Sequence, residues 1–287
     1  MTATAIKPRR VRFEWDDTPL HWIPGEPQTA HTINVLHLLL PAGEKWFVDV
    51  YRQALPLVTD DQLRQDVKGF MGQEAVHSRA HAVVLDHLRE QGIDATPYTE
   101  RVEWLFNRLL GDEPLGRPVP ARLRNLWLMQ RLAIIAAIEH FTAVLGVWIL
   151  DSEPLDAAGA DATMLDLLRW HGAEEVEHRS VAFDLYQHVN GRYFRRVQTM
   201  VGVVLVMTFL WVVGVRFFMR SDPLRPGKPT FRAFFRAGRR GTLPTAREIA
   251  RSVPRYLRRD HHPSQEGLTA QALAYLAQSP AASAAAN

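Results

Sequence analysis

Two short stretches hold residues whose types and spacing suit metal chemistry. In Trp170-His171-Gly172-Ala173-Glu174-Glu175-Val176-Glu177-His178, read as helix, His171, Glu175 and His178 fall at i, i+4 and i+7. That is one stripe of one face. Far upstream, Met71-Gly72-Gln73-Glu74-Ala75-Val76-His77 gives Glu74 and His77 the same Glu-x-x-His spacing as Glu175 and His178. Each stretch supplies half of a metal site. Two lone carboxylates extend the set. Glu44 stands in Leu38-Leu39-Leu40-Pro41-Ala42-Gly43-Glu44-Lys45-Trp46-Phe47, and Glu139 interrupts a run from Leu132 to Leu145 that is apolar on nearly every face. A buried, unpaired carboxylate is costly or shifts its pKa, and a bound cation removes the difficulty.

Each residue also has a plainer reading. Glu44 can be an exposed residue beside Lys45, His77 a hydrogen-bonded core histidine, Glu139 a protonated core acid and His171 a helix-surface histidine beside Trp170. His81, one turn beyond His77, suits lining the site better than binding metal. His140 points about 100° away from Glu139, so the two cannot face one metal pair directly. Glu174 and Glu177 turn to other faces, solvated or placed behind a ligand.

Four long helices are needed to position the set. The first is expected over about 32–55, kinked or interrupted at Pro41 and closed by Pro56. The second runs over about 60–91, with Thr59 or Asp60 as N-cap and Gly92 as stop. A shorter covering helix over 98–110 and a proline-rich loop over 111–120 lead to the third, over 121–150, which is buried. The fourth covers about 161–189. The chain divides into an extended arm (1–30) whose aromatic residues lie on the body, a metal-binding bundle (31–191), a long apolar helix (192–220), an Arg-rich helical region (221–278) and a disordered tail (279–287). The Glu-x-x-His pair is the only internal repeat.

Composition narrows the chemistry. The chain has 287 residues, is 47% hydrophobic and 23% charged, and carries a formal charge of +3; these are ordinary globular values. It has no cysteine. Disulfides, thiolate catalysis and iron–sulfur clusters are therefore excluded, leaving imidazole and carboxylate as metal ligands. The basic first dozen residues lack an apolar run behind them, so no secretory signal is read, and a cytoplasmic enzyme is expected. No nucleic-acid partner is expected, and a homodimer is compatible with the sequence.

The order lone Glu, Glu-x-x-His, lone Glu, Glu-x-x-His, on four long helices, resembles the ferritin-like di-iron carboxylate superfamily over about 32–189. The resemblance implies an all-α fold: a ferritin-like four-helix bundle with added helices and a long apolar helix after it. It implies that Glu44, Glu74, His77, Glu139, Glu175 and His178 hold two iron ions, with manganese as the other candidate. The segments Asp16-Asp17-Thr18-Pro19-Leu20-His21-Trp22 and Leu40-Pro41-Ala42-Gly43-Glu44-Lys45-Trp46-Phe47 look like a bacterial family labelled predicted metal-dependent hydrolase. His171 departs from the six-ligand pattern. His-x-x-x-Glu-x-x-His is similar in spacing to the p-aminobenzoate N-oxygenase branch, which would make His171 a seventh ligand. The expected activity is O₂-dependent oxidation of a small apolar or lipid-like substrate, with an external electron donor. One alternative is hydrolysis by a metal-activated water. Another is ferroxidase or iron-storage work, against which the long apolar segment and basic tail argue.

That apolar segment, 197–215, contains no charge. As helix it is about 28 Å long, close to the ~30 Å of a bilayer core. Arg192, Arg195 and Arg196 precede it and a heavier Arg run follows, so a span with a cytoplasmic bundle would oppose the positive-inside tendency. Three arrangements stand open: a helix on an anionic membrane surface at the inner face, a fifth core helix, or a span.

Overall fold

The computed structural model describes residues 5–285. Every regular element among them is helical. Helix α1 (Pro27–Ala54) and helix α2 (Asp61–Glu90) form an antiparallel pair. Ser78 Oγ donates to the Pro41 carbonyl at 2.7 Å and His37 meets His81, which fixes their register. A short helix α3 (Thr96–Glu103) continues into a wide π turn over Trp104–Leu109. Helix α4 (Arg124–Leu150) and helix α6 (Ala162–His178), joined through the short α5 (Glu153–Ala157), make a second antiparallel pair. After them come α7 (Val181–His188), α8 (Tyr193–Ser221), α9 (Phe231–Arg240), α10 (Ala246–Leu257), α11 (Thr269–Leu276) and α12 (Pro280–Ala284).

Several boundaries differ from the sequence reading, each for a physical reason. The arm ends at Glu26, because Pro27 occupies the first helical turn, where its missing N–H costs nothing. Pro41 does not interrupt α1, which runs unbroken through it. The fourth helix breaks after His178 and resumes at Val181. Arg179 at the break bonds to the carbonyls of Val176 and Pro263 and to Thr269. The tail expected to be disordered is helical as far as Ala284. Ser279 caps α12, and the buried Asp166 accepts from Ser279 Oγ at 2.9 Å and from the Ala281 N–H at 2.8 Å. A low-complexity composition conceals such a pinning acceptor. Asn287 and its neighbour lie outside the described residues.

Close backbone approaches set the helices that carry the ligands. A Cβ at Gly146 of α4 would lie 2.5 Å from the Gly172 carbonyl of α6, and one at Gly172 would lie 3.0 Å from Gly146 Cα. Glycine at both positions lets α4 and α6 touch one to two turns from Glu139, Glu175 and His178. On α2, a Cβ at Gly69 would fall 2.3 Å from the Ile6 carbonyl, and one at Gly72 would fall 2.9 Å from Pro8 Cγ. The arm therefore lies across α2. Farther on, Trp22 is buried and donates to Asn34 Oδ1 at 2.8 Å.

α8 packs along α1 and α4. Trp211 Nε1 donates to the Thr32 carbonyl at 2.9 Å, and Gln130 Nε2 to Thr199 Oγ1 at 2.9 Å. Both α4, with its lead-in turn, and α8 are long and apolar enough to cross a membrane by composition. However, 56% of the apolar window is buried in the first and only 22% in the second. α4 is thus a core helix. α8 is covered on one side only, so a fully packed fifth core helix is not what forms.

Candidate metal centre

The seven residues singled out by spacing converge in the interior, between α1, α2, α4 and α6. None is more than 6% exposed, which removes the surface readings of Glu44 and His171. Their donor atoms form two overlapping sets. In one, His178 Nε2 lies 3.4 Å from Glu74 Oε1, 3.3 Å from Glu139 Oε2 and 3.3 Å from Glu175 Oε2. In the other, His77 Nδ1 lies 3.6 Å from both Glu74 Oε1 and Glu175 Oε1, and His171 Nε2 lies 2.8 Å from Glu175 Oε1 and 3.6 Å from Glu44 Oε1. Glu175 thus turns one oxygen to each set, and Glu74 is common to both.

These atoms lack ordinary partners. Both oxygens of Glu44 and of Glu74, His77 Nδ1, Glu139 Oε2, Glu175 Oε2 and His178 Nε2 are buried without a hydrogen bond among the described residues. A buried polar atom left so costs about 1–3 kcal/mol, and here several point at one another. Apart from the His171 Nε2–Glu175 Oε1 hydrogen bond at 2.8 Å, the facing carboxylate oxygens and imidazole nitrogens lie 3.3–3.6 Å apart around a common centre, a spacing that fits a cation between them. That spacing does not fit direct hydrogen bonds.

The second ring nitrogens are all engaged. Glu174 Oε2 accepts from His77 Nε2 at 2.8 Å, and Gln73 Oε1 accepts from His178 Nδ1 at 2.9 Å. Each bond fixes the tautomer that leaves the other nitrogen's lone pair directed inward. Arg9 from the arm ties these supports together. Its Nη1 reaches Glu174 Oε1 at 2.8 Å and Glu177 Oε2 at 2.7 Å, and Gln73 Nε2 donates to the same Glu177 oxygen at 2.7 Å. Glu174 and Glu177 therefore stand behind ligands, as one of their two sequence readings had it. His171 Nδ1 meets His81 Nε2 at 2.5 Å, and His81 Nδ1 meets His37 Nδ1 at 2.7 Å. With His171 Nε2 facing the centre, its Nδ1–H donates to His81, and His81 donates in turn to His37.

Sequence reasoning missed Arg9, Gln73 and His37. Arg9 reads as one more cation in a basic terminus. His37 had a signal, since it falls seven residues before Glu44 on the same helical face.

Charge in the metal-free centre is crowded. Burial, then the charges of Glu74, Glu175 and Glu139, raise the Glu44 carboxyl well above its usual range. Burial and the Glu175 charge push Glu74 and Glu139 up to about 8. Burial would raise Glu175 too, but the charge of the nearby His178 and the hydrogen bond from His171 outweigh it and hold Glu175 well below. Burial disfavours the His178 imidazolium, yet the surrounding carboxylates, Glu175 foremost, raise it well above its ordinary value. Such opposed shifts mark a site shaped for positive charge.

A second cluster of metal-ligand types is different in kind. His21 Nε2 and His31 Nε2 both meet Asp222 Oδ2, at 2.6 and 2.8 Å, and Asp222 Oδ1 accepts from the Leu224 N–H at 2.8 Å. These are satisfied hydrogen bonds, and they latch the end of α8 to the arm and α1. A cavity of about 300 Å³, bordered by Asp66, Asp184, Glu177 and Ser180, reaches His178 from outside.

Comparison with known families matches residues 7–267 to the family described as predicted metal-dependent hydrolase. The chain belongs to that family. The match spans the arm, all four helices that carry ligands, and α8. Metal dependence in the metal-dependent hydrolase family agrees with the His/Glu clusters found in the interior. No curated protein and no solved structure matches the chain.

Proposed function

We propose that this chain is a dinuclear metal enzyme of ferritin-like, carboxylate-bridged type. The observation that carries the reading is Glu175, whose two oxygens face two different donor sets. His77, His171 and Glu44 would hold one ion, His178 and Glu139 the other, with Glu74 and Glu175 shared between them. As iron the pair would supply electrons to O₂, and as redox-inert ions it would supply Lewis acidity to a water.

The protein's own residues do the positioning. Glu174 and Gln73 hold His77 and His178 in their tautomers. Phe70, edge-on to His178 at 4.6 Å, and Trp170, edge-on to His77 at 5.0 Å, wall the centre with apolar rings. A buried, carboxylate-rich centre with imidazole as its one nitrogen donor type supports iron, with manganese second, and O₂-dependent oxidation of an apolar organic substrate using an external electron donor. The second reading is hydrolysis, and the family's description supports it more directly than it supports oxidation.

The deciding experiment is elemental analysis with Mössbauer spectroscopy on protein purified without added metal. O₂ uptake by the reduced protein is then measured beside ester and amide hydrolysis under argon. Two irons per chain and rapid O₂ uptake support oxidation. Hydrolysis under argon by zinc- or manganese-loaded protein, with O₂-inert iron, replaces it by the second reading. Fewer than two ions per chain overturns the dinuclear assignment.

A further inference from the structure

α8 carries an apolar stripe that nothing else covers among the described residues. Along its outward side Val201, Leu205, Phe209 and Val212 recur at helical spacing, and Leu205 and Phe209 are 67% and 65% exposed. Gly202 and Thr208, which border the stripe, are exposed too. From Val201 to Val212 the stripe is about 17 Å long. Cations close it at both ends, with Arg192 and Arg195 before it and Arg216 and Arg220 after it.

At the second end the chain turns through the latched Asp222 into α9. Thr230, the N-cap of α9, is tied to Gln28 by two bonds, at 2.8 and 2.9 Å, three residues before His31. The start of α9 therefore lies beside the end of α8. Phe231 and Phe235 of α9 are 76% and 49% exposed and stand next to the exposed Arg232 and Arg236. From Arg216 to Arg240 the one acid is Asp222, which His21 and His31 already occupy. Among the described residues Arg216, Arg220, Arg225, Lys228, Arg232 and Arg236 make no ion pair, whereas Arg240 pairs with Glu26.

We infer that α8 and α9 form a docking surface for the interface of an anionic lipid bilayer, with α8 lying in the membrane plane. An exposed apolar stripe of this size, flanked by unpaired arginines and solvent-facing phenylalanines, is the chemistry that enters a headgroup layer and meets its negative charge. A second copy of the chain fits the stripe poorly. Both ends of α8 are cationic, so pairing two stripes in either direction brings like charges together. Crossing the bilayer fits poorly as well. The inward side of α8 is held by Trp211 to Thr32 and by the Tyr98 hydroxyl to the Leu210 carbonyl, and Gly214 lies against Val35. A span would strip those contacts. The surface is independent of which reaction the metal centre performs.

The test is co-sedimentation of the full chain with vesicles of phosphatidylcholine alone and of phosphatidylcholine with phosphatidylserine. Binding is expected to the anionic vesicles only, with release at 1 M salt, where the screening length falls from about 8 Å to about 3 Å. Each cation near such a surface is worth about fivefold in partitioning, so Arg232→Gln with Arg236→Gln should weaken binding by roughly 25-fold. Leu205→Asn with Phe209→Asn should also abolish most binding while leaving helix content and metal content unchanged. Equal binding to both vesicle types, no binding, or indifference to both double variants overturns the inference. So does retention of the native membrane-bound protein through a carbonate wash, which would mean a span. A dimer in solution that Leu205→Asn with Phe209→Asn dissolves, without vesicle binding, would assign the stripe to a second copy instead.

Discussion

At the scale of single residues, the centre is a set of atoms that satisfy one another poorly and a cation well. Glu139 and His178 show this most clearly, since their facing atoms lie 3.3 Å apart without a hydrogen bond partner. Glu139→Ala and His178→Ala should therefore each lose most of the metal. Helical content by circular dichroism should stay intact, because the ligands are spread over four helices. Full metal occupancy in both variants would refute the site. His171 makes a finer case. Its Nε2 faces Glu44 and Glu175 while His81 holds its Nδ1, so, on the proposed di-iron reading, His171→Ala should keep metal but alter the Mössbauer spectrum and the reaction with O₂. An unchanged spectrum and unchanged O₂ reactivity would return the centre to six ligands. These residues were legible because chemistry constrains both their types and their helical spacing. Arg9 was not legible, because nothing in a lone arginine near a terminus says which buried acids it will meet.

At the scale of elements, the centre depends on how closely helices and arm approach. The arm crosses α2 over Gly69 and Gly72, and only that crossing delivers Arg9 to Glu174 and Glu177. Arg9→Ala should then lower metal affinity about 10–100-fold, the usual cost of removing a group that supports a ligand. Gly69→Ala should do the same from a distance, because its Cβ would collide with the Ile6 backbone and lift the arm away. Metal titration by competition with a coloured chelator measures both; wild-type affinity in the two variants would mean that the ligands need no such support. Long helices were readable because their periodicity is local. The break after His178 and the pinned α12 were not, since each rests on contacts remote in sequence: Arg179 with Pro263 and Asp166 with Ser279.

At the scale of the whole molecule, four helices converge on a crowd of carboxylates, so metal binding, proton binding and folding are coupled. In the metal-free protein, Glu74 and Glu139 titrate near 8 rather than near 4.5. Between about pH 6.5 and 8 the folded chain therefore keeps protons that the unfolded chain has already released, and stability must fall as pH rises through that window. His178, raised above its ordinary 6.5, acts in the same direction, since its stabilising charge is lost on deprotonation. The buried histidines held neutral, such as His37 and His81, act in the opposite direction. Their unfolded-state titration is centred near 6.5, so their effect is felt mainly at lower pH. Bound metal reverses the slope, because it replaces those protons and binds more tightly as pH rises. At a free ion concentration of 100 times the Kd it adds about 2.7 kcal/mol, or roughly 4–5 °C in Tm for a chain of this size. Thermal melts of metal-free and metal-loaded protein across pH 6.5–8 should thus diverge, the first falling and the second holding or rising. A metal-free Tm that stays flat or climbs across the window would show that the four glutamates do not share one buried centre.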